Sequence, residues 1–330
     1  MTKRKGILAI GNVLVDRTLM ISDYPQETML ATISHIEQHC GGGCTNVLFN
    51  LAKLDPELPL YLSGAIGDDA EGQFIIRQAL QHHVNTEGLS LTALPTSFTD
   101  VMINSQSGER TFFHYVGAMS LYGKQQILRQ NHPAKIAHIA YLPLLPALLN
   151  HHLPAILQAL RDKGLLISID LVSVRNKAIF MQHIRPALPY IDFAIINEVE
   201  AKMLTDNEGL PSNPENLLRL AHQIQRLGVK NSVIVHCPEW AVACNRAGEN
   251  RCIPSYWVEK QNIVSTLGAG DAFCAGCLYG LHQNMPLQAV LQLGHSLAYF
   301  NLFSVSATGG AVSYSQVQQF LRQKSLSPQA

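Results

Sequence analysis

The chain has 330 residues, of which 47% are hydrophobic and 15% are charged, so it can bury a large core and is not intrinsically disordered. Lys plus Arg and Asp plus Glu each total 24, which gives a formal net charge of zero. This balance gives no global attraction to nucleic acid or to an acidic membrane surface. A small molecule is therefore the expected partner.

The seven cysteines are odd in number and scattered along the chain, a distribution that favours a reducing cytoplasm over a disulfide scaffold. Residues 6–15 imitate a signal peptide, but Gly11 and Asn12 interrupt the apolar run and no cleavage site follows it. No stretch reaches the 18 or more apolar residues of a membrane-spanning helix. The expected location is cytoplasmic, without membrane association.

Short apolar runs alternate with longer stretches of helical periodicity. Strands are predicted at 7–11, 60–67, 138–142, 165–170, 192–196 and 232–236. Helices are predicted at 44–54, 145–163, 176–188, 198–205 and 213–228. This alternation predicts an α/β fold in which a mainly parallel central sheet is covered on both faces by helices.

Two stretches, 17–40 and 97–116, interrupt the alternation, and the second is typical of two strands around a Ser-Gly turn. Pairing these stretches would form a small separate sheet, which suits a lid over a site. The predicted division gives 1–16, 41–96 and 117–330 to an α/β core and the two interrupting stretches to the lid.

Residues 265–271 read STLGAGD, directly before an apolar helical stretch. Gly268 and Gly270 allow a tight turn that presents backbone N–H groups, together with the positive end of the helix dipole, to an anion. Asp271, in the first turn of the helix, would point at the same space, where a carboxylate suits a general base in phosphoryl transfer. For these residues alone, a plain helix cap is an equal alternative.

A second glycine-rich element favours the functional interpretation. CGGGCTN, at 40–46, precedes the predicted helix at 44–54, and Asp16 follows the first strand. Ligands of open parallel sheets bind beyond the carboxyl ends of the strands. Asp16 and the loops at 41–46 and 265–271 are therefore expected to converge there.

Six motifs in order resemble the ribokinase-like (pfkB-type) carbohydrate kinases, from about Ile7 to Val312. They are GNVLVD (11–16), CGGGCTNVLFNLAKL (40–54), GAIGDDAEGQF (64–74), SGERTFFHYVGA (107–118), NEVEA (197–201) and STLGAGDAFCAGCLYGL (265–281). The resemblance implies a ribokinase-like three-layer sandwich with a small β-sheet lid, ATP and Mg²⁺ as cofactors, a sugar as substrate, and a homodimer formed through the lid.

The resemblance also implies roles for individual residues. Asp271 matches the catalytic base of the family. The positions that match the anion hole are Gly268, Ala269 and Gly270. The positions that match the groups binding sugar hydroxyls are Asp16, Gly41, Gly42 and Asn46.

On the nucleotide side, Asn197 and Glu200 match an N-x-x-E element that organises Mg²⁺ and phosphate, through water as Mg²⁺ prefers. Asn197 also fits a helix N-cap, and one residue can serve both purposes. The full set expected to bind the nucleotide is Asn197, His236, Thr266, Gly268, Gly270 and His295.

Three departures from the family pattern fall on the nucleotide side. Ser265 replaces an aspartate that supports the loop, which puts activation by a monovalent cation in question. Pro238 removes an N–H after the strand at 232–236, and His295 stands where many relatives carry asparagine. A different nucleotide fit or weakened catalysis would explain these changes, and retention of Asp271 favours an active enzyme.

The substrate is less defined. Leu14 replaces an asparagine of the ribose-specific relatives, so ribose is disfavoured. Arg110, His114 and Tyr115 on the lid are candidates to meet a polar substituent of another sugar.

Three functions are carried forward. The leading hypothesis is ATP-dependent phosphorylation of a hydroxyl of a sugar or sugar-like molecule. A nucleoside kinase is the second, for which Phe112, Phe113 and Tyr115 would supply a slot for the base. The third is a sugar-binding regulatory or vestigial kinase without ATP turnover.

Overall fold

A computed structural model describes residues 4–129, 131–149 and 153–326. Within them, the strands are β1 Ile7–Gly11, β2 Leu14–Ile21, β3 Ile33–Gly41, β4 Leu60–Gly67, β5 Val84–Thr92, β6 Phe98–Asn104, β7 Arg110–Tyr115, β8 Ile136–Ala140, β9 Leu166–Ile169, β10 Phe193–Asn197, β11 Ser232–His236, β12 Trp240–Asn245 and β13 Asn250–Pro254. The helices are α1 Gly43–Leu54, α2 Ala70–Gln81, α3 Lys124–Arg129, α4 Pro146–Leu149, α5 Leu153–Asp162, α6 Lys177–Ile179, α7 Glu198–Thr205, α8 Pro214–Arg226, α9 Ala269–His282, α10 Leu287–Asn301 and α11 Tyr314–Leu326.

The predicted parallel sheet is present. In the described residues it has nine strands in the order β13-β12-β11-β10-β9-β8-β1-β4-β5. Neighbouring strands from β11 to β5 run parallel, whereas β12 and β13 add an antiparallel edge that the sequence did not reveal. Strands β1 and β8 are buried along their whole length, because helices flank the sheet and leave no polar face.

Helix α1 confirms the predicted helix at 44–54, and its apolar face is buried through Val47, Leu48, Leu51 and Leu54. The predicted helix at 145–163 is helical at Pro146–Leu149 and Leu153–Asp162, and residues 150–152 lie outside the described residues.

The segment predicted as a helix at 176–188 is helical, but only its first turn is α-helical. A single α-turn, α6, leads into a π-helix at Phe180–Ile184 and then a 3₁₀-helix at Arg185–Tyr190. Pro186 and Pro189 lie in the last of these segments, and proline has no N–H for an α-helical hydrogen bond.

The two interrupting stretches do pair into a separate sheet. Its order is β3-β2-β6-β7, with β2 parallel to β6 and the other pairs antiparallel. Strand β2 starts at Leu14 and β3 ends at Gly41, so Asp16 and Gly41 belong to strands of this small sheet. The division of the chain into a core domain and a lid stays a prediction.

The carboxyl ends of β1, β8, β9, β10 and β11 define the edge of the large sheet at which the candidate site is built. In the part of the chain that is described, no helix combines the length and the hydropathy needed to cross a membrane.

Candidate active site

Helix α9 begins with backbone that faces open space. Its N-cap, Gly268, has φ 74°, and a Cβ at this position would lie 2.4 Å from the carbonyl oxygen of Ala307, so glycine is required. At Gly270, the nearest atom to an added Cβ is Cε1 of His236, 3.9 Å away. The first turn of α9 therefore presents backbone that an anion can approach.

The loop before α9 is fixed by hydrogen bonds of its own. The N–H of Ala269 donates to the carbonyl of Thr266 at 3.2 Å, so one of the amides expected in the anion hole is already engaged. Ser265 Oγ accepts from the N–H of Leu267 at 3.0 Å. Asn301 Nδ2 donates to the carbonyl of Leu267 at 2.7 Å. These bonds hold the loop without an aspartate at position 265.

Asp271 is buried, with 5% of its surface exposed, and both of its carboxylate oxygens accept hydrogen bonds. Asn46 Nδ2 donates to Oδ2 at 2.9 Å, and the Tyr141 hydroxyl donates to Oδ1 at 2.8 Å and to Oδ2 at 3.0 Å. Helix α1 and the end of β8 thus hold the carboxylate in one orientation, as a general base requires.

Burial raises the pKa of Asp271 to about 7, and the negative charges of Asp170 and, more weakly, Asp16 act in the same direction. The hydrogen bonds from Asn46 and Tyr141 lower it. A carboxylate with this pKa exchanges its proton near neutral pH and is a stronger base than an exposed aspartate.

Tyr141 is a site residue that the sequence analysis missed, because it was placed inside a strand. It follows β8 in the left-handed region, with φ 53° and ψ 44°, which is uncommon for a bulky residue. Its backbone N–H donates to Asp170 Oδ1 at 2.7 Å. A Cβ on Gly43 would lie 2.8 Å from the ring of Tyr141, so the second glycine-rich loop makes room for this ring.

Buried side chains contact Asp170 and hold its carboxylate in place. His138 Nε2 lies 3.3 Å from Asp170 Oδ2 and 3.7 Å from Cys274 Sγ, and His138 Nδ1 lies 3.2 Å from Ser168 Oγ. The ligand-capable atoms of His138, Asp170 and Cys274 all lie within 4.8 Å of one another. Since these atoms pair among themselves, the group acts as a support for the turn at Tyr141.

The residues predicted to bind sugar hydroxyls are brought together. A Cβ on Gly41 would lie 2.0 Å from Asp16 Oδ2, and one on Gly42, where φ is 89°, would lie 2.5 Å from the carbonyl oxygen of Asn12. Asn46 Oδ1 is buried and has no hydrogen-bond partner among the described residues, so it is available to accept from a ligand hydroxyl.

The pKa of Asp16 is raised to about 6, chiefly by burial, while a hydrogen bond from Thr99 and the nearby His39 oppose the rise. Asp16 lines a cavity of about 190 Å³ between the small sheet and the segment 305–308. This cavity is called the lid cavity below.

A second cavity, of about 280 Å³, adjoins Asp271. It is lined by Gly268, Gly270 and Asp271 together with the ends of β9, β10 and β11. We call it the central cavity, and its polar lining includes Asp170, Ser173, Asn197, Glu200 and His236.

Asn197 and Glu200 form a capping box at the start of α7. Asn197 Oδ1 accepts from the N–H of Glu200 at 2.9 Å, and the N–H of Asn197 donates to Glu200 Oε2 at 3.0 Å. Glu200 Oε1 accepts from Asn197 Nδ2 at 2.7 Å and from Ser173 at 3.3 Å. The cap predicted for Asn197 is therefore confirmed, and both residues still face the central cavity.

The donor set of the central cavity fits a hydrated divalent cation. Asp170, Glu200 and Asp271 all line it, and no cationic side chain is paired with Glu200 or Asp271 among the described residues. Burial raises the pKa of Glu200 to about 8, with Asp170 adding to the rise. Buried carboxylates whose ionisation is this costly are stabilised by a bound cation, and Mg²⁺ retains water between itself and such groups.

A third cavity, of about 500 Å³, adjoins the central cavity through Asn197, His236 and Gly270. We call it the aromatic cavity. His236 packs on Phe273 with ring centroids 4.4 Å apart, and His295 meets Phe273 edge to face at 5.3 Å. Thr266 lines the same cavity, as do three aromatic residues that the sequence analysis did not single out, namely Tyr256, Trp257 and Tyr299.

Burial lowers the pKa of His236 to about 3 and that of His295 to about 4. Both rings are therefore neutral at physiological pH, and they suit contact with a planar ring better than with a phosphate. Pro238 lies in a tight hairpin turn in which the N–H of Cys237 donates to the carbonyl of Trp240 at 2.8 Å. Proline is favoured in such turns, so the departure at this position is accommodated locally.

Comparison with known proteins agrees with this architecture. The chain is 23% identical over 332 residues to a 5-dehydro-2-deoxygluconokinase of Geobacillus kaustophilus, and the match covers 97% of this chain and 95% of the relative.

Two solved structures share the fold. One is an Arabidopsis thaliana ribokinase complexed with ribose and ATP, with a TM-score of 0.80, 20% identity, and coverage of 97% of this chain and 99% of the other. The other is a putative ribokinase II of E. coli in complex with ATP and Mg²⁺, with a TM-score of 0.77, 19% identity, and the same two coverages.

Residues 4–312 match the pfkB family of carbohydrate kinases. The predicted ribokinase-like α/β fold and the predicted enzyme class are thereby confirmed. The chain belongs to the pfkB family of carbohydrate kinases and is a phosphotransferase.

Proposed function

We propose that the protein transfers the γ-phosphoryl group of ATP to a hydroxyl of a sugar or sugar-like molecule, with Asp271 as the general base. One observation carries the proposal. Asp271 accepts a hydrogen bond from Asn46, and its pKa responds to the charge of Asp16, which lines the lid cavity. Asp271 also lines the central cavity, which continues into the aromatic cavity. A sugar and a nucleotide bound at the two ends would meet at this carboxylate.

The scheme assigns roles to predicted residues at both ends of the site. The sugar hydroxyl lies between Asp16, Asn46 and Asp271, and Asp271 takes its proton as the oxygen attacks the γ-phosphorus. The backbone at Gly268 and Gly270 receives the charge that develops on the phosphoryl oxygens. The purine base lies against the rings of His236 and His295.

Mg²⁺, when bound, neutralises phosphate charge. Glu200 and Asn197 would hold it through water at the wall of the central cavity, with Asp170 close by. Because the charge of Asp170 raises the pKa of both Glu200 and Asp271, ionisation of these carboxylates and metal binding reinforce each other.

A nucleoside kinase is less well supported. Of the three lid aromatics that would make a slot for the base, Phe112 lines the lid cavity. Phe113 and Tyr115 alternate with the cavity-lining residues Arg110 and Phe112 along β7, so they face the other side of the sheet. Tyr115 packs there on Phe98, with centroids 5.3 Å apart. A nucleobase would thus find one aromatic wall, where a slot needs two.

A vestigial kinase is also disfavoured. The three departures are each accommodated, since Ser265 supports its loop, Pro238 fits a hairpin turn, and His295 is a neutral member of an aromatic wall. Asp271 also faces the central cavity on the nucleotide side, a position that a protein binding only sugar does not require.

The test is an acceptor panel. Purified protein is incubated with ATP and Mg²⁺ and with neutral sugars, sugar acids, sugar phosphates or nucleosides, and acceptor-dependent ADP release and the phosphorylated product are measured. The proposal expects transfer to at least one sugar class. Transfer to nucleosides alone supports the nucleoside kinase, and tight sugar binding without nucleotide binding in calorimetry supports the vestigial protein.

We further propose a cytoplasmic enzyme that forms a homodimer through the lid. All seven cysteines are free, as a reducing compartment permits. The outer face of the small sheet exposes Ile36 and Phe113, with 62% and 54% of their surfaces accessible, and pairing would cover them. Sedimentation of wild type and of Phe113→Asp tests this, since only the wild type should sediment as a dimer.

A further inference from the structure

One face of the small sheet, called the inner face below, lines the lid cavity. Side chains alternate across a strand, and on each strand of the small sheet every second residue lines the cavity. These residues are Asp16, Thr18 and Met20 on β2, His35, Glu37 and His39 on β3, Val101 and Ile103 on β6, and Arg110 and Phe112 on β7. This inner face is therefore the surface that a bound sugar meets.

Arg110 stands out on the inner face because its charge is unmatched. On the opposite face, Arg17 makes a bidentate pair with Asp100, at 2.6 Å and 2.9 Å. Arg110 is half-buried, and within the described residues its side chain makes no hydrogen bond or ion pair. Its neighbours on the inner face are apolar, since it pairs in register with Ile103, which in turn pairs with Met20.

Such a position is unfavourable for a guanidinium without a ligand. A half-buried cation loses hydration, and an apolar surrounding returns no hydrogen bonds. The other two lid candidates for contact with a polar substituent, His114 and Tyr115, do not present an unpaired group to the cavity. His114 shares a hydrogen bond of 3.1 Å with Thr99, and Tyr115 lies on the outer face.

The acidic groups of the inner face lie elsewhere or are already engaged. Glu37 accepts from His35 at 3.0 Å and from His39 at 3.3 Å. Asp16 is in register with Thr99, which is in register with His114. His114 lies four positions, or about 13 Å along β7, from Arg110, so Asp16 lies at the far end of the inner face from Arg110. The lid cavity therefore has an acidic end at Asp16, whose charge acts on Asp271, and a cationic end at Arg110.

We propose that the substrate is an anionic sugar derivative, in which a carboxylate or a phosphate monoester at one end pairs with Arg110 while the hydroxyl at the other end is phosphorylated. This inference rests on the proposed function. The planar guanidinium offers paired donors that match either anion. A neutral sugar fills the same cavity but leaves Arg110 without a partner.

The experiment compares matched acceptors in three proteins. kcat/KM is measured for neutral sugars, for the corresponding sugar acids and for the corresponding sugar phosphates, in wild type, in Arg110→Gln and in the control Arg322→Gln, which changes an exposed arginine of α11. In the wild type and the control, one anionic class should exceed its neutral counterpart by about 10- to 100-fold. Arg110→Gln should remove that preference and leave the neutral sugars unchanged.

The sugar acids and the sugar phosphates together show which anionic group pairs with Arg110. A preference for sugar acids identifies a carboxylate, and one for sugar phosphates identifies a phosphate ester. Equal kcat/KM for neutral and anionic sugars in the wild type, or a preference that survives in Arg110→Gln, would overturn the assignment.

Binding without ATP distinguishes this inference from the proposed function. Calorimetry of the same sugars against wild type and Arg110→Gln reports the anion subsite alone. If anionic sugars bind the wild type more tightly but no phosphoryl transfer occurs with ATP, the subsite stands and the kinase assignment fails. If neutral sugars are phosphorylated efficiently and Arg110→Gln binds every sugar as the wild type does, the kinase stands and the subsite is wrong.

Discussion

The surroundings of Asp271 and the aromatic cavity lie next to each other, and burial acts on them in opposite directions. Around Asp271 it raises the pKa of carboxylates, to about 6 in Asp16, about 7 in Asp271 and about 8 in Glu200. In the aromatic cavity it lowers the pKa of His236 to about 3 and of His295 to about 4. Both regions therefore favour neutral side chains in the absence of a ligand.

The difference between them lies in what a ligand must bring. The carboxylates accept hydrogen bonds and gain from hydroxyl donors or a cation, so this side suits sugar hydroxyls, a transferable proton and Mg²⁺. The neutral imidazoles lie among rings and gain from a flat apolar partner. We therefore expect substitutions beside Asp271 to affect catalysis strongly, and substitutions in the aromatic cavity to affect mainly the affinity for the nucleotide.

Among the substitutions that probe the difference between the two regions, Gly268→Ala should have the largest effect on activity. The new Cβ would lie 2.4 Å from the backbone of Ala307 at a φ of 74°, so the start of α9 must move, and with it Asp271. We expect kcat to fall by about 100-fold or more and the free energy of unfolding by ~1–3 kcal/mol. Steady-state kinetics and urea unfolding measure both.

The matched control is Gly270→Ala, whose Cβ would enter open space 3.9 Å from His236. It should fold with wild-type stability, and kcat should fall by less than in Gly268→Ala, because the backbone stays in place and the new methyl group only narrows the approach of the phosphate. Equal losses of kcat in the two variants would contradict the placement of Gly268.

Asp16→Asn should have the next largest effect, because it removes an acceptor carboxylate from the sugar end. We expect kcat/KM for the sugar to fall by about 100-fold, with little change in KM for ATP. Asp68→Asn, at an exposed position, is the control. A loss shared equally between sugar and ATP would show that Asp16 acts on the fold and not on the sugar.

Tyr141→Phe tests how Asp271 is kept ionised. The tyrosine hydroxyl lowers the pKa of Asp271, so its removal should raise that pKa from about 7. A base works only when deprotonated, and the acid limb of kcat/KM against pH should therefore move to higher pH, with about a 10-fold loss at pH 6.5.

The charged groups that act on the pKa of Asp271 over this limb are Asp170 and Asp16, whereas burial raises the pKa of the nearby Cys44 and Cys274 thiols and keeps them neutral. Tyr122→Phe is the matched control, since its buried hydroxyl bonds Ser63 at 2.6 Å, away from the site. A limb that moves equally in both variants, or in neither, would contradict a direct action of Tyr141 on the base.

His295→Asn should have the smallest effect. It restores the residue common in the family at a wall of the aromatic cavity, where His295 Nε2 has no partner among the described residues. We expect KM for ATP to change by about 3-fold, in either direction, with kcat and KM for the sugar unchanged. A large fall in kcat would mean that this ring has a role beyond contact with the base.

The sequence predicted the elements of the fold well where a clear hydrophobic pattern lies next to a recognisable motif. The strands at 7–11, 60–67 and 232–236 and the helix at 198–205 are present with those bounds, because apolar runs in a doubly covered sheet leave little choice of structure. The pairing of two distant inserted stretches into one sheet also followed from their failure to fit the alternation.

The supports of the site were not predictable in the same way. Tyr141 reaches Asp271 because one residue leaves the strand in a left-handed conformation, held by Asp170, which follows a different strand. Neither the conformation nor the pairing has a local signal. Likewise, the sequence could not rank Arg110, His114 and Tyr115 as candidates to contact the sugar. The register of β7 in the small sheet shows which of them lie on its inner face.

The most direct test of the account is phosphoryl transfer by Asp271→Asn with saturating sugar, ATP and Mg²⁺, alongside calorimetric binding of the sugar. We expect kcat to fall by about 10²–10⁴-fold, with the dissociation constant of the sugar within a few-fold of wild type, because asparagine preserves the shape of the site and lacks only the basic oxygen. Turnover close to wild type would show that another group takes the proton and would contradict the central role of Asp271.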